Sequence, residues 1–256
     1  MASKELQAAL AAAQAASEVI RGHYQRLSAV RLKSDASPVT EADVLAEEAI
    51  RATLTKRFPD YGFYGEETGQ HAMQAQSIWL VDPIDGTKAF VRGIPFFSTQ
   101  IALLRRGRLV LGVSSAPVYG ELAWAEEGGG AFLNERPIRV SAVAALKDAA
   151  ISTGNLKGAV GTPRWQRLGS LIADAGYSRG YGDFVHYHLL ARGALEAVIE
   201  SNVHILDIAA LTVIVREAGG TFTDLEGREV GLDTTSVLAT NGALHATLLA
   251  ALTNQG

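Results

Sequence analysis

At 256 residues and 48% hydrophobic content, the chain is long enough for a substantial core and sits near the upper size of one domain. Its net charge of −4 excludes a general attraction to nucleic acid or to an anionic membrane, both of which need clustered Lys and Arg. With no cysteine there is no disulfide, thiolate metal site or Cys nucleophile, so an anionic substrate must be captured locally by other groups.

The opening stretch MASKELQAALAAAQAASEVI mixes acidic and polar residues among its alanines and does not read as a signal peptide. No later segment supplies the roughly 20 apolar residues of a membrane span, so the expectation is a cytoplasmic protein without a membrane partner. Leu6, Leu10, Ala13, Ala16, Ile20 and Tyr24 recur at helical spacing and predict an amphipathic helix over 4–28. A second helix starts near Thr40, where Thr40 and Asp43 fit a capping box.

From residue 77 the pattern turns to strands: SIWLV, STQIALL, RLVLGVS, ELAWAEE and AFLN, an antiparallel meander. After Asp148, strand and helix alternate: AAIST, a helix around Trp165 to Ala175, a strand near Ser178, a helix from Asp183, EAVIE, a helix from Asp207 to Glu217, TFTD, SVLAT and a final helix. Without an internal repeat or linker, 1–256 is expected to be a single unit with subregions of about 1–145 and 146–256.

The stretch Trp79-Leu-Val-Asp-Pro-Ile-Asp-Gly-Thr87 carries the chemistry. An apolar strand ends in Asp82, Pro83 terminates the ladder, and Asp85 follows in a turn where Gly86 permits close backbone approach. If a helix begins at Thr87, the N–H groups of Gly86 and Thr87 offer an anion site beside two carboxylates. Carboxylates converging on an anion need a cation between them, and magnesium, an oxygen-preferring ion that bridges carboxylates to phosphates, resolves the conflict. Taken singly, Asp82 and Asp85 read equally as turn residues, Glu66 and Glu67 as solvated loop charges, and Asp207 as a helix cap.

Taken together, GEE at 65–67, WLVDPIDGTKAF at 79–90 and LDIAALTVIVREAGG at 206–220, with VTEAD at 39–43 upstream, resemble the inositol-monophosphatase family of lithium-sensitive, metal-dependent phosphatases. That resemblance implies a layered α-β-α-β-α sandwich, with an antiparallel or mixed first sheet and a second sheet with helices, and it implies a homodimer. It also implies two to three Mg2+ ions: one on Glu66, Asp82 and the Ile84 carbonyl, a second on Asp82, Asp85 and Asp207, and a third near Glu66. Asp43 is implied to pair with Thr87, Thr87 and Glu66 to orient the attacking water, Lys33 to help balance charge, and Glu200 to touch substrate. Leu206 departs from the aromatic residue usual before the last metal-binding Asp.

Within the family, Lys88 after DGT and the segment Arg179-Gly-Tyr-Gly-Asp183-Phe resemble the histidinol-phosphatase branch. Asp183 and Glu200 would pair with the ammonium and imidazole of histidinol phosphate, whereas inositol needs hydroxyl partners; the plainer reading makes Asp183 a helix cap. The runner-up activity is inositol-1-phosphatase and the third a nucleotide 3′-phosphatase, disfavoured by the short chain and the lack of a basic run. A phospholigand- or RNA-associated binding module is the non-enzymatic alternative. His186 and His188, two apart, point to opposite sides of a helix and read as core or surface residues rather than joint metal ligands. Arg105, Arg106 and Arg108 read as solvated hairpin charges.

Overall fold

The computed structural model describes residues 2–25, 31–32 and 38–253. Lys33, expected to balance charge at the site, lies outside the described residues.

Helix α1 (Lys4–His23) starts at Ser3, whose side chain accepts the Leu6 N–H, and buries an alanine-rich stripe. Two short strands, β1 (Arg31–Leu32) and β2 (Pro38–Val39), form an antiparallel pair. They lead to α2 (Glu41–Arg57), which carries the predicted capping box: the Thr40 side chain accepts the Asp43 N–H, the Asp43 Oδ2 accepts the Thr40 N–H, and the Thr40 hydroxyl also donates to Oδ2. The two helices pack together on one face of the first sheet, with Ala12, Ala16, Ala46, Ile50 and Leu54 against Trp79, Ile101 and Val113.

That sheet comprises β3 (Gly62–Gly65), β4 (Gly69–His71), β5 (Ser77–Asp85), β6 (Ser98–Arg105), β7 (Arg108–Ala116), β8 (Glu121–Glu126), β9 (Ala131–Leu133) and β10 (Arg136–Ile138), with the short helix α3 (Thr87–Val91) after β5. Strands β5 to β9 form the expected antiparallel meander, which β10 extends by one strand, whereas β3 pairs parallel to β5. The β6–β7 hairpin charges are partly paired, Arg105 with Glu5 and Arg108 with Glu127.

The second half alternates as its sequence pattern predicts: β11 (Ala150–Gly154), α4 (Pro163–Asp174), β12 (Tyr177–Arg179), α5 (Asp183–Ala191), β13 (Ala197–Ser201), α6 (Ile205–Glu217), β14 (Thr221–Thr223), β15 (Ser236–Thr240) and α7 (His245–Thr253). The five strands form one mixed sheet in the order β12-β11-β13-β15-β14. Helices α5 and α6 lie between the two sheets in a continuous apolar cluster that includes Leu80, Ala102, Phe184, Ala210, Ile214, Val198 and Phe222. Helices α4 and α7 cover the outer face through Leu168, Leu171, Leu248 and Leu252. The layers are α-β-α-β-α, as the resemblance implied. Among the described residues no helix is long and apolar enough to cross a membrane.

Candidate active site

Strands β3 and β5 run parallel, so their C-terminal ends reach the same sheet edge, the usual location of ligands in α/β proteins. Gly65 lies opposite Val81, and the Glu66 N–H extends the ladder to the Val81 carbonyl at 3.1 Å. Glu66 and Asp82 therefore leave neighbouring strands together.

Pro83 does not end the strand. Asp82 pairs with Gln100 and Asp85 with Ser98, so Pro83 and Ile84 together oppose Thr99 alone, forming a bulge. In an unbroken strand residues three apart face opposite sides; the extra residue restores the parity and brings Asp82 and Asp85 to one place. The Thr99 hydroxyl holds the Pro83 carbonyl at 2.8 Å, and the Ile84 N–H donates to Asp82 Oδ1 at 2.9 Å. Gly86 then turns the chain at φ 93°, where a Cβ would also sit 2.7 Å from the Phe96 carbonyl oxygen.

Asp207 arrives from the opposite side. It is the third residue of α6 rather than the first, because the helix starts at Ile205 with His204 as its cap, and its Oδ2 accepts the His204 N–H at 2.8 Å. One oxygen from each of Asp82, Asp85 and Asp207 lies within 4.8 Å of the others. Burial, then the charges of Glu66, Asp85 and Asp207, push the Asp82 carboxyl well above the usual carboxylate range. Asp85 is raised in the same way by burial and by Asp207, Asp183 and Glu200. Asp207 is pushed up to about 7, burial and the neighbouring carboxylates outweighing the His204 N–H bond. Carboxylates with mutually raised pKa values in an oxygen-only donor set fit a hard divalent cation, which reverses the repulsion.

Two residues after Asp85, the Thr87 hydroxyl lies 3.2 Å from Asp43 Oδ1 and 3.1 Å from the Ile84 carbonyl. Burial raises the Asp43 carboxyl, while its bonds from Thr40 and Thr87 work the other way.

Asp183, Glu200, Asn155 and Tyr187 line the same pocket as Asp85 and Asp207. Asp183 does not cap α5: Gly182 holds that position, and Asp183 is the first helical residue with an unusual φ of 45°. Its carboxyl is raised to about 6 by burial and by Glu200, against the pull of His186 and of exposed Lys88. Glu200 is buried on β13 and accepts from Tyr187 Oη at 2.7 Å, His186 Nε2 at 3.2 Å and Asn155 Nδ2 at 3.2 Å. Leu206 is buried in the core and does not line this pocket.

Several of these residues have no motif of their own. Tyr187 follows Asp183 by one helical turn, and Glu47 follows Asp43 by the same step; i, i+4 spacing from a motif residue was the available signal for both. Glu47 is fully buried and accepts the N–H groups of Glu67 and Thr68 at 2.8 Å each. His186 and His188 are both core residues.

Architecture and site define a layered α/β protein with an acidic, oxygen-donor cluster that could hold a metal ion, at converging strand and helix ends. The inositol monophosphatase family model matches residues 1–256, and the chain belongs to that family. It is 41% identical over 258 residues to a histidinol-phosphatase from Mycobacterium tuberculosis, covering 98% of this chain and 99% of that one. It is 37% identical over 249 residues to an inositol-1-monophosphatase from Mesorhizobium japonicum, covering 90% and 88%. The crystal structure of extragenic suppressor protein suhB from Bartonella henselae superposes with a TM-score of 0.90 at 35% identity, covering 99% of this chain and 100% of that one.

Proposed function

We propose that the protein is a Mg2+-dependent phosphomonoesterase that hydrolyses L-histidinol phosphate to L-histidinol and phosphate. The observation that carries the substrate choice is the pair Asp183 and Glu200, two carboxylates in the same pocket as Asp85 and Asp207 of the metal triad. A neutral polyol offers a raised-pKa carboxyl such as Asp183 hydroxyl hydrogen bonds but no opposing charge, whereas an ammonium or imidazolium supplies both. The relatedness to histidinol-phosphatases over nearly the full chain supports the same reading.

In this reading Glu66, Asp82 and the Ile84 carbonyl would hold one magnesium and Asp82, Asp85 and Asp207 a second, with a third and weaker site near Glu66. Bound magnesium supplies the positive charge that screens the phosphate dianion from the carboxylates, acidifies water and stabilises the leaving oxygen. The Thr87 hydroxyl has one hydrogen, and donating it to Asp43 leaves an oxygen lone pair to accept a proton from the attacking water. Glu66, beside Asp82, helps to aim that water. Asp183 and Glu200 orient the leaving alcohol by its cationic groups, and a cleft of about 320 Å3 adjoining Gly154 and Glu200 gives that end of the substrate room.

The test is phosphate release by metal-stripped protein, with and without added magnesium, from L-histidinol phosphate, inositol 1-phosphate and 3′-phosphoadenosine 5′-phosphate. Preference for histidinol phosphate is the expected result. Preference for inositol 1-phosphate transfers the same machinery to the activity named for the Mesorhizobium relative. Magnesium-independent silence on all three leaves a binding module.

A further inference from the structure

The carboxylate of Glu47 is fully buried, yet it reaches neither the metal triad nor Thr87; its two oxygens instead take the N–H groups of Glu67 and Thr68 at 2.8 Å each. Those amides belong to the turn that follows β3, and that turn begins with Glu66. The backbone is fitted around the contact. A Cβ on Gly65 would lie 2.7 Å from Glu47 Oε2 and closer still to Oε1, so the strand approaches the carboxylate as only glycine permits.

Asp43, one helical turn earlier on α2, bonds Thr87 on the other limb of the site. One helix face thus grips two chain segments at the site: Glu47 the turn that carries Glu66, and Asp43 the turn after Asp85. A helix anchored by its own capping box and by Ala42, Ala46 and Ile50 is a rigid support for that purpose.

We propose that Glu47 is a positioning residue that fixes Glu66 for metal binding by clamping the two amides that follow it. The inference rests on the assignment of Glu66 as a metal ligand. Groups that orient a metal ligand from behind typically contribute 10–100-fold to metal affinity. Glu47→Gln keeps the side chain's size but turns one acceptor into an N–H donor facing an N–H donor.

The experiment measures Mn2+ binding to substrate-free protein by calorimetry or by the electron paramagnetic resonance of the free ion, for wild type, Glu47→Gln and Glu66→Gln. Amide exchange at residues 67 and 68 is followed in parallel. Glu47→Gln is expected to weaken Mn2+ binding roughly 10–100-fold, to lose protection at those two amides, and to raise the magnesium concentration for half-activation while KM at saturating magnesium stays near wild type. If Glu66→Gln leaves Mn2+ affinity unchanged, the assignment of Glu66 fails. If Glu66→Gln weakens it and Glu47→Gln does not, the positioning role of Glu47 is overturned, even where melting temperature falls. Should Glu47→Gln not fold, Gly65→Ala, which drives the carboxylate off the amides, must give the same affinity loss, and unchanged affinity overturns the proposal.

Discussion

Thr87 Oγ1 lies 3.2 Å from Asp43 Oδ1, a contact that ties the turn after β5 to the first turn of α2. Asp43 Oδ2 is already committed to Thr40, so Oδ1 is the oxygen available to Thr87. In the proposed mechanism a hydroxyl held in this way passes on a proton rather than binding a metal. Thr87→Ala is expected to lower kcat by about 10²–10⁴-fold, the usual weight of a positioned acid–base group, with Mn2+ affinity nearly unchanged. Thr87→Ser, which keeps the hydroxyl, should retain most activity. Asp43→Asn should show the same kcat loss plus about 1 kcal/mol of stability from the weakened cap, measured by denaturant unfolding.

The triad of Asp82, Asp85 and Asp207 stores repulsion that a cation releases. Magnesium at about 100 times its dissociation constant should stabilise the protein by about 2.7 kcal/mol, or roughly 5–10 °C in melting temperature for a chain of this size. Removing one charge has the opposite consequence for the two states. Asp85→Asn is expected to melt higher than wild type when both are metal-free and to lose most of the magnesium-induced rise. Thermal scans of both proteins in chelator and in magnesium check this; an Asp85→Asn variant that melts lower in chelator removes the argument from repulsion.

The strands and helices were legible because their patterns are local: the alternation from Ser77 to Leu133 and the apolar stripe of α1 reappear where expected. The parallel pairing of β3 with β5 was not, since nothing in GFYG specifies a partner sixteen residues away. The same gap hid the bulge. Pro83 announces that a ladder bond is missing, but whether the strand stops or resumes at Asp85 is settled by Ser98 across the sheet. At the site, the acidic motif residues stood out as types in a pattern. Glu47, Tyr187 and His186 did not, because each acts on a group brought near only by the fold: a turn amide for Glu47, Glu200 for the other two.

Glu200 is held by a relay that makes a specific demand on His186. Ser152 Oγ takes the Tyr181 N–H, and its own hydrogen is free to go to His186 Nδ1 at 3.3 Å; Nε2–H then donates to Glu200. An Nε2–H in that position aims the carboxylate at the pocket, with Tyr187 bracing the same oxygen. His186→Phe leaves Glu200 with one fewer donor and is expected to raise KM for L-histidinol phosphate about 10-fold, a loss in the range of one hydrogen bond to a charged group, with kcat changed much less. Asp183→Asn should raise the same KM by about 10–100-fold and leave KM for a neutral phosphate ester near wild type. Equal shifts for charged and neutral esters would remove the cation-pairing role.

His188 sits on the same helix but serves the fold. It donates Nδ1–H to Glu121 at 2.8 Å and accepts from Ser114 at Nε2, 2.9 Å away, with Phe184 against its ring and Arg192 paired to Glu121. Burial holds its pKa below the ordinary 6.5, the attraction of Glu121 only partly offsetting it. The unfolded chain therefore takes up this proton first, so the stability it contributes is complete above pH 6.5 and declines as pH falls toward the folded-state pKa. Glu121 acts in the same direction lower down: burial alone would raise its pKa, but the His188 hydrogen bond and the charges of His188 and Arg192 bring it below the ordinary 4.5, so its contribution is lost below that pH. Wild type should lose stability relative to His188→Gln on going from pH 7 to pH 5, with a difference slope of up to about 1.4 kcal/mol per pH unit. Urea unfolding of the two proteins across that range measures the difference. Parallel curves would mean that His188 binds its proton equally well folded and unfolded, and that the relay to Glu121 and Ser114 tolerates the charge.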